Sequence, residues 1–231
     1  MAKSSFRGFH PNAIQFLDQL ASHNDREWFT KHKSRYEADV LEPALEFIEA
    51  MQKPLASVSP HFVAMPKRVG GSLMRIYRDT RFAKDKSPYK TNIGIHFRHE
   101  RGKDVHAPGF YIHISPEECF LGCGIWHPDT RTLSKIRKAI HKDQAGWKRV
   151  SRGQAFLKQY KLAGDSLKRP PKGYDAEHPI IDDLKRKDFI AVGELSLDDL
   201  FEKDLVSKCT ARMRTGKPLM RFLTAAVGLE F

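Results

Sequence analysis

Ile93-Gly94-Ile95-His96-Phe97, Phe110-Tyr111-Ile112-His113-Ile114 and Leu121-Gly122-Cys123-Gly124-Ile125 decide the fold. In each stretch an apolar residue alternates with a polar, aromatic or small one, the period of a strand with one face on a core. Met74-Arg75-Ile76 reads the same way upstream, and Phe189-Ile190-Ala191-Val192 adds a further strand downstream. Short connections such as Ser115-Pro116-Glu117 suit tight turns, so successive strands are expected to run antiparallel. The fold class is α+β: an antiparallel sheet of about five strands with N- and C-terminal helices packed on one face.

The flanking segments have the helical period. Asn24-Asp25-Arg26-Glu27 has the capping-box spacing and leads into Trp28, Phe29, Tyr36 and Val40. Pro43 suits the first turn of a helix whose stripe is Leu45, Ile48, Met51, Gln52 and Leu55. After the sheet, Asp129 or Thr130 caps a basic helix through Ile136 and Ile140 towards Trp147. Ser196 with Asp199 opens a helix through Leu205, and Lys217-Pro218-Leu219 begins a last one ending near Gly228. The Lys168–Tyr174 stretch, with two prolines and a glycine, is a loop. Apolar patterning resumes at once, which makes residues 1–231 a single domain.

Bulk properties bound the function classes. With 40% hydrophobic and 29% charged residues the chain folds without staples. No apolar run approaches a membrane span, so no membrane partner is expected, and the first residues lack the pattern of a signal peptide. Three cysteines do not make a disulfide framework, and the reducing cytoplasm is the expected address. The formal charge of +12 is concentrated: residues 67–103 hold 11 Lys or Arg against 3 Asp or Glu, and residues 131–152 hold 8 against Asp143 alone. Such segments attract anions.

Alternation sorts the strand side chains by face. If the isoleucines and Phe97 face the helices, then Arg75, Tyr77, Asn92, His96, Arg98, Tyr111, His113 and Trp126 share the other side with Gly94, Gly122 and Gly124. Antiparallel sheets commonly leave one face wet without binding anything. This face, however, is rich in residue types that bind, and glycine inside a strand often marks the close approach of a ligand. Beside it runs Arg75-Ile76-Tyr77-Arg78-Asp79-Thr80-Arg81-Phe82-Ala83-Lys84-Asp85-Lys86-Ser87-Pro88-Tyr89-Lys90. Arginine presents a planar fork of donors matched to phosphate and carboxylate, so Arg75, Arg78 and Arg81 are candidate anion clamps. Lys86 and Lys90 add charge, Tyr77 and Tyr89 donate or stack, and Asp85 orients a neighbouring cation. Asp79 is the only candidate base, although an ion pair that orients a neighbouring arginine or lysine is the better reading of it.

Eleven histidines raise the question of a metal, yet no paired CxxC or HExxH spacing occurs. Cys119 and Cys123 point to the core side, and neither metal nor cofactor is expected. His178 reads better as a turn residue than as part of the pocket. The Arg75–Lys90 run resembles the signature of the DUF2461 family, as do Asn24-Asp25-Arg26-Glu27-Trp28-Phe29, Gly124-Ile125-Trp126-His127-Pro128 and the stretch from Pro171-Lys172-Gly173-Tyr174 through His178-Pro179 to Lys187-Asp188-Phe189. The resemblance spans almost the whole chain; it implies one domain and supplies no reaction. The residues thus point to a site for a small anionic ligand, without choosing between binding and catalysis. One alternative is a nucleic-acid-associated protein that uses the basic segments and the aromatic sheet face. The other is a partner-binding module without catalysis, and oligomeric state is left open.

Overall fold

The computed structural model describes residues 6–102 and 106–231. Its centre is a five-stranded antiparallel sheet in the order β1-β2-β3-β5-β4. The strands are β1 (Ile93–Arg98), β2 (Gly109–Ile114), β3 (Cys119–Ile125), β4 (Lys161–Ala163) and β5 (Phe189–Glu194). The first three form the expected meander, with Ile95 opposite Ile112 and Ile112 opposite Leu121.

The helices before the sheet are α1 (Pro11–Ser22), α2 (Arg26–Lys31), α3 (Lys33–Tyr36) and α4 (Glu42–Val58), with a π-helical turn over Glu37–Leu41. Between β3 and β4 come α5 (Thr130–Lys142), α6 (Gln144–Arg152) and α7 (Gln154–Leu157), between β4 and β5 comes α8 (Ile181–Lys185), and after β5 come α9 (Leu197–Phe201) and α10 (Leu205–Val227). Helix α10 lies across the core face of the sheet and packs on β3, α4, α5 and α6. Its approach to β3 is close because Gly216 carries no side chain; a Cβ there would lie 2.9 Å from Cys123 Sγ.

Ile93, Ile95, Phe97, Phe110, Ile112, Ile114, Leu121 and Ile125 are all buried beneath these helices, as the alternation requires. Cys119 and Cys123 are buried with them, and burial pushes the Cys123 thiol up to about 12, which leaves it protonated and inert.

Several elements differ from the sequence reading, each for a local reason. Met74-Arg75-Ile76 is not a strand: only isolated contacts, Met74 N–H to the Gly94 carbonyl and His96 N–H to the Ser72 carbonyl, stitch this segment to the free edge of β1. The fifth strand is instead β4, too short for its pattern to stand out, and it pairs with β5. Asp25, not Asn24, caps α2 by accepting from Trp28 N–H. The basic helix divides at Asp143, whose carboxylate caps α6. The final helix does not begin at Lys217; α10 starts at Leu205 and runs through Pro218. Its buried stripe Leu205, Cys209, Met213, Leu219, Met220 and Leu223 stays in phase across the proline. Burial therefore outweighs the one hydrogen bond that proline removes. Gly228, at φ +83°, closes the helix as its left-handed C-cap.

Candidate functional site

The face of the sheet turned away from α10 carries three rows of residues set by register. Gly94, His113, Phe120 and Glu194 form the first, His96, Tyr111, Gly122 and Val192 the second, and Arg98, Gly109, Gly124 and Ile190 the third. Over the second and third rows lies a cavity of about 490 Å³, predominantly apolar, walled by His96, Tyr111, Phe120, Trp126 and Val192 and reached by Lys90. Lys90 approaches from beyond the first row and Trp126 from beyond the third, so they mark opposite ends of one hollow.

The glycines have separate tasks. A Cβ on Gly94 would lie 2.8 Å from the Tyr111 hydroxyl, and one on Gly109 would lie 2.1 Å from His96 Nε2. These two glycines therefore let Tyr111 and His96 lie flat on the sheet rather than leaving room for a ligand. Gly122 has no such occupant, its nearest neighbour being 3.5 Å away, and it forms open floor.

Burial sets the protonation states along the hollow. Tyr111 is pushed up to about 12 chiefly by desolvation, so it offers a neutral hydroxyl. Its oxygen lies 3.3 Å from His113 Nδ1. Burial lowers the pKa of His113, which stacks on Phe120 at 4.9 Å and 2°. Lys90 is lowered first by burial and then by the neighbouring positive charge of Arg75.

The loop between Arg78 and Lys90 is closed at its root by Arg78 N–H to the Pro88 carbonyl and Lys90 N–H to the Ile76 carbonyl. Asn24 latches it: its amide donates to the Tyr89 carbonyl and accepts from Tyr89 N–H, both at 3.0 Å. Tyr89 turns inward and stacks on Phe29 at 4.1 Å, whereas Tyr77 is exposed. At the tip the charges satisfy one another. Arg81 grips Asp79 with two guanidinium nitrogens at 2.9 and 2.7 Å. Arg78 is ion-paired to Asp85, which also accepts from Ser87, while Lys86 donates to the Thr80 carbonyl. Asp79 is held at about 2 by its hydrogen bond from Arg81, and Asp85 is lowered by Arg78. A carboxylate at about 2 is ionised at neutral pH.

Of the residues singled out from sequence, Lys90, His96, Tyr111 and Trp126 meet at the hollow and His113 supports it. The guanidinium groups of Arg78 and Arg81 are committed to their own carboxylates. Arg75 is exposed beside Lys90 and near enough to Asp79 to help lower it, and among the described residues neither cation has a carboxylate within ion-pair distance. The sequence reading missed Phe120, Ile190 and Val192, whose strand parity places them on this face, and Asn24, whose partner lies 65 positions away. Among the described residues no group of three or more His, Cys, Asp or Glu is disposed to hold a metal ion. His178 lies away from the hollow, 2.9 Å from His141 on α5. A second, more open groove of about 930 Å³ runs along β4 with mixed charges, Glu117, Glu194, Lys158, Lys161 and Arg212 among them.

A model of conserved hypothetical proteins, DUF2461, matches residues 12–222. The chain belongs to the DUF2461 family. The match takes in both the β1–β3 meander and the Arg75–Lys90 loop. No curated protein and no solved structure matches the chain. Among the described residues of this DUF2461 protein, no helix is long and apolar enough to cross a membrane.

Proposed function

We propose that the hollow on the open sheet face binds a small anion with an apolar or aromatic body, a carboxylate or phosphate ester of modest size. One observation carries this reading: Lys90 reaches into an otherwise apolar cavity, half-buried and with no carboxylate within ion-pair distance among the described residues. A half-buried cation without a partner is unfavourable, and an anionic ligand supplies what it lacks. Phe120, Trp126 and Val192 suit the body of the ligand, and the neutral Tyr111 hydroxyl suits a polar group along it. In this reading Arg78 and Arg81 shape the loop and Arg75 and Lys90 meet the ligand.

The test is thermal unfolding with phosphate, benzoate, 4-phenylbutyrate and phenyl phosphate as probes. A hundredfold excess over Kd adds about 2.7 kcal/mol, roughly 5–10 °C for a domain of this size. The aryl anions are expected to raise the melting temperature and Lys90→Met to abolish the rise. If none of these probes moves the unmutated protein, the reading fails. If instead single-stranded nucleic acid binds with a steep salt dependence, the nucleic-acid alternative replaces it.

A further inference from the structure

At the Trp126 end of the hollow stands a pair of residues that anion binding does not use. His127 is the only non-glycine residue with positive φ among the described residues, at +45°. That conformation lets its backbone N–H and its ring Nδ1 both reach Asp188 Oδ1, each at 2.8 Å. Asp188 is 1% exposed, and its other oxygen accepts from Asp165 N–H at 2.8 Å. Burial alone would raise its pKa, but the hydrogen bonds from Asp165 and His127 outweigh that and the group is lowered, so the carboxylate stays ionised. Gly164, at φ +92°, makes room for it, since a Cβ there would lie 2.4 Å from Asp188 Cβ.

An ionised aspartate bonded at Nδ1 holds the proton there and leaves Nε2 with a free lone pair, the tautomer of a general base. His127 Nε2 makes no hydrogen bond among the described residues, and the side chain is 47% exposed. Its ring stacks at 4.3 Å and 19° on Trp126, which walls the cavity. A purely structural pin at this corner needs only the two backbone N–H groups. Placing an imidazole there in an uncommon backbone conformation adds strain that the pin does not require.

We propose that His127, positioned by Asp188, is the general base of an ester hydrolase whose substrate carries an anionic group at the Lys90 end and a carboxylic ester at the Trp126 end. This rests on the binding reading above. Nε2 takes a proton from a water molecule as the water oxygen bonds to the ester carbonyl carbon and the carbonyl electron pair moves to its oxygen. On collapse the bond to the alcohol oxygen breaks, and the proton held on Nε2 passes to that oxygen. The products are an acid and an alcohol, with no change of oxidation state.

The probe is mono-4-nitrophenyl adipate, a carboxylate and an activated ester on one chain. The unmutated protein is expected to hydrolyse it above the solution rate, and His127→Gly to lower kcat about 100-fold with KM little changed. Glycine suits the positive φ, so this variant keeps the fold, and free imidazole is expected to restore part of kcat. Asp188→Asn is expected to lower kcat and to abolish rescue when combined with His127→Gly, which separates positioning from support of the fold. Should Asp188→Asn not fold, the His127→Gly and imidazole arm decides alone. A rate in the unmutated protein no greater than in His127→Gly overturns the proposal, as does a folded His127→Gly that imidazole does not rescue. If aryl anions still raise the melting temperature through Lys90 in that event, the binding site stands and only the hydrolase reading falls; if they do not, both fall.

Discussion

The tip and the root of the Arg75–Lys90 segment are made of the same residue types and behave in opposite ways. At the tip, Arg81 with Asp79 and Arg78 with Asp85 neutralise each other in short-range pairs, and the sequence supplies each cation with its own anion two or seven positions away. At the root, Arg75 and Lys90 come together from the two ends of the segment without an ion pair to either among the described residues, and Lys90 reaches a hollow lined with aromatic rings. Charge density therefore marks this segment as basic without saying where a ligand goes. What distinguishes the two ends is which charges the fold leaves unpaired.

The largest effect expected from this contrast is in ligand response. Lys90→Met should remove the whole anion-dependent rise in melting temperature, whereas Arg78→Ala, which deletes an equal charge at the tip, should leave most of it; titration by thermal shift compares them directly. Next is the latch. Asn24→Ala strands the buried N–H and carbonyl of Tyr89, costing on the order of 1–2 kcal/mol in chemical denaturation and weakening anion binding by loosening the root.

A smaller effect of opposite sign follows from Lys90 itself. Its folded pKa lies below its unfolded value, so its charge works against the fold throughout the neutral range and the penalty fades only as pH rises through the depressed folded value. Lys90→Met should thus raise the melting temperature of the ligand-free protein by about 2 °C while destroying anion binding.

The smallest effects are in pH dependence. His113 has a lowered folded pKa, so the stability it contributes is complete above its ordinary value and is lost as pH falls through the folded one. His113→Phe should flatten the unfolding free energy between pH 7 and pH 5. The tip contributes nothing in that window, because Asp79 gives up its pairing only as pH falls through about 2.

Much of the architecture was legible because alternation is a local signal. It placed Tyr111 and His113 on one face and Ile112 on the other, and register confirms the assignment. It misled where a local signal competes with packing: Pro218 looks like a helix start, yet the stripe from Met213 to Leu219 carries α10 through it. Lys161-Leu162-Ala163 is too short to show a period at all, and only β5 makes it a strand. At the site, residue types were readable and partners were not. An ion pair for Asp79 could be read from its basic neighbours, but not which of them would take it. His127 and Asp188 are 61 positions apart, and Asn24 and Tyr89 are 65 apart, distances over which chemistry is set by the fold alone.

The most direct test of the root-and-tip contrast is a crystal structure grown with 4-iodobenzoate, whose iodine is located by its anomalous signal. The account places the carboxylate between Arg75 and Lys90, with the iodinated ring on the open floor at Gly122 between Phe120 and Trp126. Iodine found instead at the Arg78–Arg81 tip, with the hollow holding only solvent, would contradict it.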